Sequence, residues 1–339
     1  MTDALWRSFD AIGFDLDGVI YRGPEPVPGA PEAISAMQRG GARIGFVTNN
    51  AYRPPSAIVD QLRGFGIECR PQDVVTSAQA TARLMGDALP AAAEVLIIGS
   101  PALADEVAVV GLTPTRRRSA ATAAIVVGFD PSLTWDDFNE GCYAVQNGAV
   151  YFATNDDLTR PTDQGISIGM GGMLSAIAKP LPDVKPIMGG KPARPLLDET
   201  RRRLGAKRPL FVGDRLDTDV EGAFNAGWAS LFVLTGGHGP ADLVAAPAPQ
   251  RPTFLTADVA GLLEPPRVAV STSSADDAIR CGAAVARADA DLSVTVDGPL
   301  DTAAQRLDAL WAVAHVAWQR ADHGTVAQTD AVLRRLATE

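Results

Sequence analysis

Phe9 to Gly23 reads FDAIGFDLDGVIYRG, an apolar run that ends on two aspartates and a glycine. Phe9 to Phe14 has the length and composition of a short buried strand. Asp15 and Asp17 leave it at alternate positions, and Gly18 lets the backbone turn sharply beside them. Ligands of open parallel sheets bind beyond the carboxyl ends of the strands, so one loop can turn both acids onto one site. An aspartate with an ordinary pKa of about 3.9 is ionised at neutral pH; it can attack an electrophile or help hold a hard cation. Taken alone, the segment reads equally well as a strand-end turn with solvated acids.

The same grammar continues outward. Pro31 to Arg39 predicts a helix, Ala42 to Val47 a strand ending at Thr48, and Ser56 to Phe65 a helix stopped at Gly66. Strand, helix and strand at these lengths make βαβ units and a parallel sheet. The pattern returns with a helix at Pro195 to Leu204, a strand at Pro209 to Val212, a helix at Asp219 to Ala226 and a strand at Ser230 to Leu234. The stretch between has its own strand signals, Glu94 to Ile98 and Ala123 to Val127. The expected organisation is an α/β protein with a Rossmann-like parallel-sheet core, residues 1–80 and 188–262. An α/β cap domain, 81–187, is inserted with hinges near Ser77 to Thr81 and Pro182 to Pro186. Residues 245–252 read as surface connector. A small α+β C-terminal module, 263–339, is expected to hold strands at Val268 to Val270 and Leu292 to Val296 and three helical runs. Ala275 to Ala288 and Thr302 to Arg320 are the amphipathic stretches.

Three further segments sit at or near predicted strand ends. Thr48-Asn49-Asn50 offers a hydroxyl and amide N–H groups suited to phosphate oxygens, although such residues also cap helices and make turns. Lys191, in Gly189-Gly190-Lys191-Pro192, can neutralise a transferring phosphoryl group. Gly213 to Asp219, GDRLDTD, follows the strand PLFV directly and supplies carboxylates of the kind that hold magnesium.

Together DLDGVIYRG, TNN, GGKP and GDRLDTD resemble the four motifs of the haloacid dehalogenase superfamily, in the form of its subgroup with a large cap between the second and third motifs. ATNDDLTRPTDQG and GMGGMLSAI resemble that subgroup's cap, and the resemblance spans roughly residues 9 to 260. It implies Mg²⁺-dependent hydrolysis of a small phosphate monoester. Asp15 would be the nucleophile that forms an aspartyl-phosphate. Asp17 would protonate the leaving alcohol and then activate water. Mg²⁺ would be held by Asp15, the Asp17 carbonyl and Asp214, with Asp219 orienting a water from behind them. Thr48 and the Asn49 backbone would bind the phosphate, and Lys191 would oppose its charge. Similarity over the whole length, C-terminal module included, points to glycerol 3-phosphate. Phosphoglycolate, nucleotide, sugar or pyridoxal phosphates stay open as substrates, as does a phosphomutase on the same fold. A non-catalytic binding protein is the remaining reading, and the full set of acids and lysine argues against it. Candidate readers of the leaving group are Asn155 to Arg160 and Gly169 to Gly172.

Composition narrows the partners. The formal net charge of −10 disfavours nucleic acid, whose backbone is held by Lys and Arg clusters. The three cysteines, Cys69, Cys142 and Cys281, lie far apart, which disfavours zinc and suits a reducing compartment. The N-terminus lacks a signal-peptide pattern, and no apolar run reaches the roughly 18 residues of a membrane span. A cytoplasmic protein without membrane insertion is expected, with a homodimer as one role for the C-terminal module. Arg116 to Arg118 and Arg201 to Arg203 read as solvated surface. His238 reads as structural or exposed, and Trp311 and Trp318, seven apart, as core. Thr134 with Asp136, Asp137 and Glu140 reads as a helix start.

Overall fold

The computed structural model describes residues 3–162, 164–272 and 278–337. It divides into two compact units, Met1–Ile44 with Lys207–Glu339, and Gly45–Ala206. The boundaries expected near residues 81 and 187 both fall inside the second unit. The helix Ser77–Ala88 runs through the first expected hinge.

In the first unit four parallel strands lie in the order Phe254–Thr256, Ala229–Val233, Pro209–Gly213, Ala11–Phe14. AIGF and PLFVG are buried at every position, as strands covered on both faces require. The pairing Phe14↔Val212 makes neighbouring strands end at the same level. The strand Phe254–Thr256 went unexpected because three residues beside a proline-rich connector carry little pattern.

The C-terminal part differs from expectation. The described part of the amphipathic stretch Ala275 to Ala288 is not helical. Its described residues form the strands Ala278–Cys281 and Ala284–Ala288, joined at Gly282, whose φ is +56°; residues 275–277 lie outside the described residues. With Ala269–Ser271 and Val294–Asp297 they make a four-stranded antiparallel sheet. Two helices follow, Ala303–Asp322 and Asp330–Ala337. Alanine's helix preference loses here to tertiary packing. Ile279, Cys281, Ala284 and Ala286 turn inward at alternate positions of their strands, and these mostly small side chains lie against the long helix. Trp311 and Trp318 are core, as their spacing predicts. One apolar cluster joins this helix to Leu216, Val220, Phe232 and Leu255, and Trp318 Nε1 donates to the Leu243 carbonyl at 2.9 Å. The module therefore packs on the parallel strands of its own unit.

In the second unit the strands Ile44–Thr48 and Val74–Thr76 pair in parallel. A second parallel sheet runs Ile187–Met188, Val150–Ala153, Thr122–Val127, Glu94–Ile98, Thr113–Thr115. Ser77–Ala88 and Pro101–Val109 cover one apolar face of it, and Trp135–Gln146 and Met170–Ala178 the other. The expected start at Thr134 holds, since its backbone N–H donates to Asp137 at 2.8 Å. The basic runs are less plainly solvated than expected. Arg116 donates to the Gly99 carbonyl at 2.6 Å, and Arg202 and Arg203 both grip the buried Glu199. Guanidinium forks find backbone and carboxylate oxygens even at a surface. Among the described residues, no helix is long and apolar enough to cross a membrane.

Candidate active site

The first unit gathers three carboxylates. Asp15 follows the strand Ala11–Phe14, and its N–H donates to the Val212 carbonyl at 2.8 Å, which carries the ladder one residue further. Asp214 leaves the neighbouring strand Pro209–Gly213. Parallel pairing in this register turns a separation of 199 residues into adjacency. Asp219 comes back from the turn Leu216–Val220, and its Oδ2 accepts from the backbone N–H groups of Asp214 at 3.1 Å and Arg215 at 3.0 Å. Asp15, Asp214 and Asp219 each bring an oxygen within 4.8 Å of the others, and all three are buried. Buried like charges at this spacing repel strongly and call for a cation. An all-oxygen set of this kind fits a hard ion such as Mg²⁺.

Asp17 stands apart from that cluster. Its side chain remains open to solvent on one side, while desolvation by the surrounding protein raises its carboxyl above the ordinary range; a Gly23 backbone hydrogen bond pulls partly the other way. A raised proton affinity suits a group that must hold a proton for a leaving alcohol. Asp217 turns outward to Arg215 at 2.8 Å.

A loop that the motifs did not flag holds Asp214. The Gly237 N–H donates to Asp214 Oδ2 at 2.5 Å, and the His238 N–H donates to the Asp214 carbonyl at 3.1 Å. A Cβ on Gly236 would lie 1.9 Å from Asp214 Oδ2, and one on Gly18 2.5 Å away, so both must be glycine for the backbone to approach this carboxylate. The Thr235 hydroxyl donates to the Gly18 carbonyl at 2.7 Å. His238 proves structural, its Nδ1 accepting from the Leu216 N–H at 2.9 Å. The available signal was TGGHGP directly after a strand.

The second unit gathers Thr48, Asn49 and Lys191. Thr48 ends the strand Ile44–Thr48, and its Oγ1 accepts from the Asn50 N–H at 3.1 Å. Asn49 grips Lys191 by its main chain: Oδ1 accepts from the Lys191 N–H at 2.8 Å, and Nδ2 donates to the Lys191 carbonyl at 3.0 Å. The Lys191 side chain is 2% exposed, so a cation has been carried into the interior. The Asn49 carbonyl accepts from the Ser77 hydroxyl at 2.5 Å and from Asn155 Nδ2 at 2.8 Å. Ser77 drew no notice in the sequence as a site residue. Of the cap glycines, Gly169 and Gly171 press on the 156–158 backbone, with the Gly171 N–H on the Asp157 carbonyl at 2.9 Å.

Comparison with known proteins agrees with the motif reading. Residues 12–113 match a haloacid dehalogenase-like hydrolase family model, and residues 188–262 match a HAD-hydrolase-like model. A D-glycerol 3-phosphate phosphatase of Mycobacterium tuberculosis is 40% identical over 256 residues, 76% of this chain and 71% of that protein. A 5′-nucleotidase of Bacillus subtilis is 34% identical over 232 residues, 68% of this chain and 89% of that protein. The crystal structure of a glycerol phosphate phosphatase from M. tuberculosis in complex with magnesium superposes with a TM-score of 0.81 at 33% identity, covering 99% of each chain.

Proposed function

The chain belongs to the haloacid dehalogenase-like hydrolases, and from that premise we propose that it hydrolyses glycerol 3-phosphate to glycerol and phosphate. It is a Mg²⁺-dependent phosphoric monoester hydrolase. The observation that carries the reading is the convergence of Asp15, Asp214 and Asp219 at adjoining strand ends. The substrate choice is supported by the activities in the names of its similar proteins, which also include a nucleotidase.

Asp15 attacks phosphorus through one carboxylate oxygen. The bond from phosphorus to the ester oxygen breaks, and that oxygen takes its proton from Asp17. Asp17, now a carboxylate, removes a proton from water, whose oxygen attacks the phosphorus of the aspartyl-phosphate. The acyl-phosphate bond breaks, which releases phosphate and restores Asp15. Magnesium would be held by the Asp15 and Asp214 carboxylates and the Asp17 carbonyl, and it supplies positive charge that offsets repulsion between nucleophile and phosphate. Asp219 holds the Asp214 and Arg215 amides and so sets the aim of Asp214. Thr48 and the Asn49 backbone take phosphate oxygens, and Lys191 opposes their charge. Such chemistry is mostly positioning and charge stabilisation.

Residues 1–80 and 188–262 serve as the catalytic core, 81–187 as the cap that reads the leaving group, and 263–339 as the accessory module. The setting is cytoplasmic and the assembly a homodimer, which light scattering of the purified protein checks. The deciding experiment measures phosphate release from glycerol 3-phosphate, phosphoglycolate, nucleotide, sugar and pyridoxal phosphates, with and without Mg²⁺. Preference for any other ester overturns the substrate. Isomerised product without free phosphate overturns the hydrolase.

A further inference from the structure

The Asn49–Asn50 peptide is held from one side by two donors that no catalytic motif contains. Ser77 opens the helix Ser77–Ala88 and is fully buried, and Asn155, 5% exposed, lies just past the strand Val150–Ala153. Both donate to the Asn49 carbonyl, at 2.5 and 2.8 Å. A trans peptide is planar, with its C=O and N–H pointing in opposite directions. Clamping the carbonyl therefore fixes where the Asn50 N–H points, and it points at Thr48 Oγ1, 3.1 Å away. A hydroxyl that accepts from an N–H directs its own proton elsewhere, so Thr48 is set as a donor.

The same residue reaches the other way. The Asn49 amide pairs with both main-chain groups of Lys191. The loop can sit this close because Gly190 has no side chain: a Cβ there would lie 2.3 Å from the Thr154 carbonyl and 2.7 Å from Asn49 Oδ1. Asn155 is thus tied through one residue to the Thr48 hydroxyl and to the Lys191 backbone.

We infer that Asn155 and Ser77 are positioning residues that set the phosphate grip, through the Asn49 peptide, for every ester the site accepts, and that Asn155 does not read the leaving group. The inference rests on the phosphatase reading for its activity measurements, but its binding measurement does not.

The test compares Asn155→Ala, Ser77→Ala and wild type by calorimetric titration of inorganic phosphate with Mg²⁺, and by kcat and KM on glycerol 3-phosphate, phosphoglycolate and a nucleoside monophosphate. Losing one hydrogen bond to a buried carbonyl predicts phosphate affinity about three- to tenfold weaker in each variant. The fall in kcat/KM should be the same for all three esters. Circular dichroism checks that each variant is folded, and Ser77→Ala, on a different element, tests the same carbonyl should Asn155→Ala not fold. Unchanged phosphate affinity in a folded variant overturns the inference. So does a loss in kcat/KM confined to one ester, which would make Asn155 a leaving-group contact. Should wild type turn over no ester at all, the phosphatase reading fails; equal phosphate affinity in variant and wild type would then still overturn the positioning role, and a weakened one would still support it.

Discussion

Buried carboxylates on the helix Pro195–Leu204 and at the strand ends of the first unit resolve their charge in opposite ways. On the helix Pro195–Leu204, Glu199 is 7% exposed and sits between Arg202 at 2.8 Å and Arg203 at 2.7 Å, both on its own helix. Burial raises this carboxyl, and the hydrogen bonds and charges of the two arginines outweigh it, so it ends below the ordinary glutamate value. At the strand ends Asp15, Asp214 and Asp219 bring three carboxylate oxygens within 4.8 Å, held in place largely by backbone N–H groups. The first arrangement is complete within the fold. The second concentrates like charge where a divalent ion and a phosphate can complete it. Burial alone does not mark function; the sign of the neighbours does.

The comparison breaks most visibly at Asp15, the proposed nucleophile. Asp15→Asn keeps the shape and removes the carboxylate proposed to attack phosphorus. Phosphate release should fall by roughly 10³-fold or more while the circular dichroism spectrum stays native. Magnesium-dependent release that survives this change returns the acids to ordinary strand-end residues. Glu199→Gln should leave kcat within about twofold, because its charge is settled away from the motifs.

Magnesium sharpens the contrast next. An ion at one hundred times its dissociation constant stabilises the folded state by about 2.7 kcal/mol. Titrating Mg²⁺ should therefore raise the melting temperature of wild type and of Glu199→Gln alike. Asp214→Asn should lose that rise. A rise of equal size in all three proteins would place the ion elsewhere.

Stability alone should respond at Glu199. Glu199→Gln removes a charge shared by two guanidiniums and should cost about 1–2 kcal/mol in chemical denaturation, since Arg202 is largely solvated. The sign in pH follows from a folded pKa below the unfolded one. The contribution is present above the ordinary glutamate value and is lost as pH falls through the lowered one. A denaturation midpoint that matches wild type at neutral pH would show that the pair contributes nothing.

The smallest effect belongs to a half-buried histidine. His315 packs against the rings of Trp311 and Trp318, with centroids 4.6 and 5.0 Å away. Burial first, and then the charge of Arg251, lower its pKa to about 4. The unfolded chain thus binds the proton more readily. Its share of stability is whole above the ordinary histidine value of 6.5 and is lost as pH falls toward 4. His315→Phe should flatten the slope of stability across that window, and an unaltered slope would assign it to other groups.

The acid-bearing strand ends were legible in the sequence because a buried parallel strand followed at once by acids is a local pattern. FDAIGFDLDG and PLFVGDRLDTD each declare it within a dozen residues. The C-terminal hairpin was not legible. In AIRCGAAVARA the inward residues are mostly small, so helical and strand periods compete, and only packing against Ala303–Asp322 selects the strand. The grip on Asn49 was hidden for another reason: Ser77 and Asn155 lie 28 and 106 residues away from it.

What the chain determined by itself was chemical type: which strand ends carry carboxylates, which carries a hydroxyl and an amide, and where a lysine follows two glycines. Those are properties of short segments, set by hydrophobic runs and the residues that stop them. Tertiary structure alone decided which polar groups meet. Strand register brings Asp15 beside Asp214 across 199 residues, and a single carbonyl can be clamped only after helix and strand have delivered Ser77 and Asn155 to it. Hydrogen bonds act over about 3 Å, and no local pattern reports a distance that only the folded backbone establishes.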